Sequence, residues 1–305
     1  GQGSLSISAP LRLWSPEDPY LYECRIEFGS DQVTDRIGFR DIRRHGTNLL
    51  LNGKPLYLRG VCVHEDDAKH GKVSTIEDVT RRFHHAKELG CNCLRLAHYP
   101  HHEHVAKLAD EMGLLLWEEI PVYWAIQFEN VATYRDALNQ LEELMIRDRN
   151  RASVIIWGVG NENADTDVRY TFMKNLAEHA KTFDPSRLVG AACLINRDLF
   201  LIEDRLASHL DIIGLNEYFG WYEEGFEGLR QLLTNSNPDR PVVISEVGAD
   251  ALAGQHGPET QLFTEERQAF VFKNQIEIVR SIPWICGFFP WLLYDFRSPR
   301  RQTSI

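Results

Sequence analysis

The chain has 305 residues, 43% of them hydrophobic and 25% charged, with a formal net charge of −11 at pH 7. This is ordinary globular composition, long enough for one large core plus an appendage. The acidic balance argues against nucleic acid as a partner, which needs clustered Lys and Arg, and no apolar run reaches the ~18 residues of a membrane span. The short basic runs Arg40–Arg44 and Arg297–Arg301 read as solvated loops. The start, Gly1-Gln2-Gly3-Ser4-Leu5, has no basic n-region and does not read as a signal peptide. Six cysteines (Cys24, Cys62, Cys91, Cys93, Cys193 and Cys286) form no C-x-x-C pair, and several lie in apolar runs. They are expected to be buried free thiols, which points to a cytoplasmic setting.

Residues 1–40 show period-two alternation in Leu5-Ser6-Ile7-Ser8, Leu21–Phe28 and Val33–Ile37, the pattern of half-buried antiparallel strands. Two or three strands alone make no stable sandwich, so either they pack on the main domain or the segment is part of a β-domain. Residues 41–305 read differently, as strand, loop and helix repeated. Apolar strand candidates fall at Leu56–Val63, Cys91–Leu96, Leu114–Trp117, Val154–Trp157, Leu188–Ala192, Asp211–Leu215, Pro241–Ser245 and Ile285–Leu292. Helical spacing fits Thr75–Leu89, His102–Met112, Tyr134–Arg149, Thr166–Phe183 and Glu265–Ile282, with Gly90 and Gly113 as stops. Eight apolar strands alternating mostly with helices predict a TIM (β/α)8 barrel. A doubly wound open sheet is the rival, but no Gly-rich phosphate loop succeeds the first strand. The tail Arg297–Ile305 is too short and polar for an eighth helix, so the barrel is expected to lack its last helix.

In such a barrel the chemistry sits where strands end. The runs end in His64-Glu65-Asp66-Asp67, Arg95 with His98-Tyr99, Glu118-Glu119, Asn161-Glu162-Asn163, Asn216-Glu217-Tyr218, Glu246, and Trp291 with Asp295. Any one of these could be a loop cap; the repetition over seven strands points to a site. Glu162 and Glu246 are far apart in sequence, yet a closed barrel brings both to one mouth. Such a pair cleaves a glycosidic bond: one carboxylic acid protonates the leaving oxygen, and the other attacks the anomeric carbon or activates a water that does. The acid has to hold its proton near neutral pH, which burial or a neighbouring like charge provides. Trp117, Tyr123, Trp124, Tyr218, Phe219, Trp221, Tyr222 and Trp291 lie at or just after strand ends, where aromatic faces suit sugar C–H surfaces, although core packing accounts for some of them. No lysine ends a strand, which argues against a Schiff-base aldolase. His98, His101, His102 and His104 cluster in sequence, but read as one site residue and three surface residues rather than as metal ligands.

These motifs resemble glycoside hydrolase family 2. Leu13-Trp14-Ser15-Pro16-Glu17-Asp18-Pro19-Tyr20-Leu21-Tyr22 looks like late strands of that family's immunoglobulin-like domain. Gly38-Phe39-Arg40 and Leu51-Asn52-Gly53-Lys54-Pro55 look like its junction with the barrel. Arg95-Leu96-Ala97-His98-Tyr99-Pro100 resembles R-x-S-H-Y-P, with Ala97 at the Ser position. The resemblance implies a retaining enzyme with Glu162 as acid/base and Glu246 as nucleophile. It implies Asn161 on the sugar 2-hydroxyl, Tyr218 on the nucleophile, and His98, Trp291, His64 and Asp66 around the sugar. Arg95, Asn216 and Tyr222 complete the expected substrate-binding set.

Within the family, Leu215–Tyr222 and Glu246–His256 look most like the β-glucuronidase segments L-N-R-Y-Y-G-W-Y and E-Y-G-x-D-T-L-A-G-x-H. Glu217 and Val247 depart from that pattern, and the N-x-K that binds the uronate carboxylate would fall just past Ile305. The expected function is therefore exo-β-glycoside hydrolysis with a β-glucuronide favoured; a β-galactosidase and a non-catalytic sugar-binding fragment are the alternatives. No cofactor or metal is expected. The expected partner is a carbohydrate or glycoconjugate, with a second copy of the chain left open.

Overall fold

A computed structural model describes residues 8–298. Of the expected strand Leu5-Ser6-Ile7-Ser8, all but Ser8 lies outside the described residues, as does most of the Arg297–Arg301 run. Eight parallel strands close into a barrel in sequence order: β1 (Leu58–Val63), β2 (Cys93–Leu96), β3 (Leu115–Glu119), β4 (Val154–Asn161), β5 (Leu188–Cys193), β6 (Ile212–Asn216), β7 (Val242–Val247) and β8 (Ile285–Pro290). β8 pairs back onto β1, with Gly287 opposite Leu58 and Phe288 opposite Arg59. These strands read as continuous apolar runs because the helices cover one face and the barrel interior the other.

The helices are α1 (Ile76–Glu88), α2 (Glu103–Met112), α3 (Val131–Asp148), α4 (Asp167–Phe183), α5 (Glu227–Asn235) and α6 (Glu265–Val279). Their starts are legible in chemistry. Thr75 caps α1 in a reciprocal capping box with Asp78, and Thr166 and Thr264 accept from Arg169 N–H and Arg267 N–H. Gly113 ends α2 at φ 71°, and a Cβ there would meet the Pro16 carbonyl oxygen at 2.3 Å, so both the conformation and the space require glycine.

Hydrophobic spacing does not reveal α5, which is short and has no side-chain cap at Phe226. Nor does it assign an element between β5 and β6, where a 3-10 turn, Arg205–His209, takes the place of a helix. A buried bidentate pair from Arg169 to Asp204, at 2.6 and 2.8 Å, anchors that turn. No helix comes after β8 among the described residues. The outer faces of β8 and β1 border an apolar groove of about 930 Å3, whose walls include Val61, Leu89, Phe272, Ile276 and Ile285.

Before the barrel, Tyr22–Phe28 and Asp31–Ile37 form an antiparallel hairpin with Tyr22 opposite Ile37, as the alternation predicts. Its outer face leaves Ile26, Phe28 and Val33 exposed. A three-stranded antiparallel sheet (Ile42–His45, Asn48–Leu51, Lys54–Leu56) comes next. It closes the floor of the barrel, where Ile42, Leu49 and Leu51 pack with Trp14 and with interior residues such as Ile155, Ile156 and Phe289. The larger apolar cluster lies between strands and helices. All six cysteines are free; Cys24 and Cys91 are only partly buried, so full burial holds for the other four.

Candidate active site

The strand ends converge on a polar network built around Arg95, at the middle of β2 and wholly buried. Its guanidinium donates to Glu119 Oε1 (2.6 Å), Glu246 Oε1 (2.8 Å), the Ser245 carbonyl (3.1 Å), Asn216 Oδ1 (3.3 Å) and Asn161 Oδ1 (2.6 Å). One planar fork thereby fixes the ends of β3, β4, β6 and β7. Burial opposes its charge, but Glu119 and Glu246 outweigh burial and hold Arg95 above its ordinary range. Burial likewise pushes Glu119 up, and Arg95 and His98 more than reverse it.

Glu246 sits in β7. Arg95 takes one carboxylate oxygen, and the Tyr218 hydroxyl donates to the other at 2.8 Å. His98 Nε2 is 3.6 Å from Oε1. Burial, with the charge of Glu162 adding to it, raises the Glu246 carboxyl above the usual range despite Arg95 and His98. The Arg95 charge is divided between Glu246 and Glu119, and so offsets the burial of Glu246 only in part.

Glu162 succeeds β4 at φ 51°, a left-handed backbone unusual for a residue with a side chain. Its Oε2 accepts from Trp124 Nε1 at 2.8 Å and its Oε1 from Asn216 Nδ2 at 3.0 Å. Trp124 is aimed by its own backbone: its N–H donates to the Asn161 carbonyl, and its carbonyl accepts from Asn163 Nδ2. Asn216 therefore joins Glu162 to the Arg95 network, donating its amide hydrogens to Asn161 and Glu162 while its oxygen accepts from Arg95 and Ser245. Asn161 accepts from Arg95, a group with no acceptor, so its amide oxygen must face inward and its Nδ2 is left to donate elsewhere.

One wall of the mouth is aromatic. His98 stacks on Trp291 (5.3 Å, 12°) and on Tyr123 (5.5 Å, 28°), while its Nδ1 hydrogen-bonds Glu119 Oε2 at 2.8 Å. His64 stacks on Phe296 at 3.8 Å and meets Trp291 edge-on. Burial, helped by His98, lowers the His64 pKa to about 3, which keeps its ring neutral. A cavity of about 540 Å3 opens here, bordered by His64, His98, Trp124 and Trp291. Asp250 and Asp295 also line it; no Lys or Arg does among the described residues.

The structure thus brings Glu162, Glu246, Asn161, Asn216, Tyr218, His98, Trp291 and His64 together. Three expected substrate ligands are placed otherwise. Arg95 is wholly buried behind the carboxylates, where it holds them rather than facing the cavity. Asp66 is occupied by Arg297, through its backbone N–H (2.8 Å) and its guanidinium (2.9 Å). Tyr222 is 61% exposed at the rim, its ring 5.1 Å from that of Tyr218.

Among the aromatics, Trp117 and Phe219 belong to the core, and Trp221 packs edge-on against Phe263. His101, expected on the surface, is buried and donates through Nε2 to the Ala97 carbonyl at 3.1 Å. Glu119 and Trp124, named in the sequence only as a strand-end acid and a strand-end aromatic, join the site as partners of Arg95 and Glu162. Both stand at the third strand end; Glu119 points inward on the same face of β3 as Trp117, and Glu118 points to the other face. Asp67, His70 and Asp78 are the described residues grouped closely enough to hold a metal ion. Arg81 already bridges the two carboxylates, and Asp78 also belongs to the cap of α1.

The network makes a stability prediction. Arg95→Met should strand Glu119 and Glu246 without their cation and destabilise the fold by about 3–5 kcal/mol, read from urea unfolding at pH 7. A cost below about 1 kcal/mol would mean that the buried pairing is not what holds the strand ends.

A (β/α)8 barrel with two carboxylates at its mouth, joined through one amide and one guanidinium, defines the class: a barrel of the glycoside hydrolase type. Residues 42–280 match the TIM barrel domain of glycosyl hydrolases family 2, and residues 2–40 match a second family model, that of glycosyl hydrolases family 2. The chain belongs to glycosyl hydrolases family 2.

It is 30% identical to a β-glucuronidase of Paenibacillus borealis over 99% of this chain and 54% of that protein. It is 32% identical to a β-glucuronidase of Rattus norvegicus over 99% of this chain and 50% of that protein. Among solved structures it is similar to a β-glucuronidase from Ruminococcus gnavus in complex with D-glucuronic acid (TM-score 0.86, 30% identity, 95% of this chain, 52% of that one). It is also similar to a GH2 β-galacturonidase from Eisenbergiella tayi bound to galacturonate (TM-score 0.85, 30% identity, 92% and 52%). The chain spans about half the length of the curated relatives it matches.

Proposed function

We propose that this chain carries the catalytic site of a retaining exo-β-glycosidase, with a β-glucuronide as the favoured substrate. In this reading residues 1–40 belong to an immunoglobulin-like domain and residues 41–305 to the catalytic barrel. The observation that carries it is the linking of Glu162 and Glu246 through Asn216 and Arg95 at one mouth.

In the first step Glu162 gives its proton to the glycosidic oxygen as Glu246 attacks the anomeric carbon; the C–O bond to the aglycone breaks and an ester to Glu246 forms. In the second, the Glu162 carboxylate takes a proton from water, and the resulting hydroxide displaces Glu246 from the same carbon. Trp124 and Asn216 hold Glu162, and Tyr218 and Arg95 orient Glu246. Asn161 Nδ2 is the donor for the sugar 2-hydroxyl, and the Trp291–His98 stack is the wall for the ring.

The uronide preference is supported by the names of the relatives, which are β-glucuronidases and a β-galacturonidase. A neutral β-galactoside is the second reading, favoured by the two acids and the lack of Lys or Arg among the described cavity residues. The test is kcat/KM on 4-nitrophenyl β-D-glucuronide, β-D-galacturonide and β-D-galactoside. The glucuronide should lead, by at least about tenfold, or 1.4 kcal/mol of transition-state binding. A galactoside lead would overturn the sugar. Inertness on all three, equal to that of Glu162→Gln and Glu246→Gln, would favour the sugar-binding fragment.

A further inference from the structure

His64 comes directly after β1, and Tyr99 lies in the loop that succeeds β2. Their side chains meet: His64 Nδ1 is 3.1 Å from the Tyr99 hydroxyl. That hydroxyl has two further partners. Lys72, in the loop between β1 and α1, donates to it from Nζ at 3.0 Å, and the Glu65 backbone N–H donates to it at 3.2 Å. The Lys72 ammonium also stands 5.2 Å from the centre of the Tyr99 ring.

The direction of these bonds is set by what each group can do. An ammonium and a peptide N–H only donate, so both contacts fall on the lone pairs of the phenol oxygen. Its single hydrogen is left for His64, whose Nδ1 has to accept it. An imidazole with a lone pair on Nδ1 is neutral and carries its hydrogen on Nε2. A hydrogen on Nδ1 would instead press a third donor on the phenol oxygen and leave the phenol hydrogen without an acceptor. Turning the ring over would set Cδ2 beside the hydroxyl and give up the bond.

The ring is also held in place by its neighbours. Phe296 stacks on it at 3.8 Å and 18°, and Trp291 and His98 meet it edge-on at 5.3 and 5.7 Å. Burial opposes a charge on the ring; His98, His101 and Lys72 add to burial, and Glu119 acts against them. His64 lines the cavity, and the bond to Tyr99 is the only hydrogen bond of its side chain among the described residues. Nε2 is thus left for a ligand.

We propose that Tyr99 and Lys72 are positioning residues that hold His64 as the neutral tautomer with its hydrogen on Nε2, and so make it a fixed hydrogen-bond donor to an oxygen of the bound sugar. Neither residue touches a reacting atom; each acts through His64. A ring already in its binding tautomer gives up no freedom when the sugar arrives. The donor role rests on the glycosidase reading, and the tautomer does not.

Two-bond proton–nitrogen correlation spectra of the whole chain carrying nitrogen-15 histidine, recorded at pH 7, read the tautomer; the His64 signals are those absent from His64→Gln. Nε2 should appear as a protonated nitrogen and Nδ1 as an unprotonated, hydrogen-bonded one. Tyr99→Phe should move the Nδ1 resonance to that of an unprotonated nitrogen with no bond. A hydrogen on Nδ1 or on both nitrogens, or an Nδ1 resonance indifferent to Tyr99→Phe, would overturn the proposal. Activity reads the donor separately. On an aryl β-glucuronide, Tyr99→Phe should lower kcat/KM by about fivefold, the worth of one neutral hydrogen bond. Lys72→Met should lower it less, and Lys72→Arg, which keeps a donor, should recover most of that loss. His64→Gln, whose amide nitrogen can stand where Nε2 stood, should retain more kcat/KM than His64→Asn, whose amide reaches only as far as Nδ1. Equal kcat/KM in wild type and Tyr99→Phe, or His64→Asn ahead of His64→Gln, would overturn the positioning role. An inactive wild type would count against the glycosidase reading and leave the spectra to decide the tautomer.

Discussion

Replacing Glu246 by Ala is expected to lower kcat/KM on an aryl β-glycoside by roughly 10^4-fold or more, the scale seen when an enzyme loses its nucleophile. Arg95 and Tyr218 each hold one oxygen of this carboxylate, so its lone pairs are fixed in direction. A small anion can occupy the space the side chain leaves. Added azide should therefore restore turnover and yield the α-glycosyl azide, because it attacks from the face that Glu246 occupied and the second displacement is lost. A β-glycosyl azide from this variant would show that Glu246 is not the nucleophile.

Glu162→Ala is expected to act differently, and the difference assigns the roles. General acid catalysis supplies about 10^2–10^4-fold, but only where the leaving oxygen needs a proton. The loss should be near the top of that range for an alkyl aglycone and small in the first step for a dinitrophenyl one. The dinitrophenyl substrate should show a burst of phenol and then slow turnover, because Glu162 no longer activates the water. Azide should accelerate that second step and give the β-glycosyl azide, since the ester to Glu246 still forms. An equal loss on both aglycones, with no burst, would place Glu162 outside proton transfer.

Much of this site is legible in residue order. The apolar runs locate all eight barrel strands, since a buried parallel strand has no polar face to interrupt its pattern. The same runs end where Glu162 and Glu246 stand. Helices with strong caps, such as Thr75 with Asp78, can be read to within a few residues, whereas α5, capped by nothing, cannot.

The roles of neighbouring polar residues are harder to read. Glu118 and Glu119 are adjacent and identical, yet Glu119 joins the polar network around Arg95 and Glu118 is buried on the helix side of the wall beside Arg147 and Asp148. Side-chain direction alternates along a strand, but the run Leu114–Trp117 is apolar on both faces and so gives no sign of which of the two faces inward. Arg95 lies at an expected site position, but its partners come from four strands up to 151 residues away. Only the closed barrel brings those partners together, and its burial turns an expected sugar ligand into a support.

The most direct measurement is the proton NMR spectrum of the sugar released in the first moments of turnover, before mutarotation mixes the anomers. Two displacements at one carbon, the first by Glu246 and the second by water, return the β-anomer, and that signal should appear first. First appearance of the α-anomer would mean a single displacement by water and would contradict the assignment of Glu246 as nucleophile.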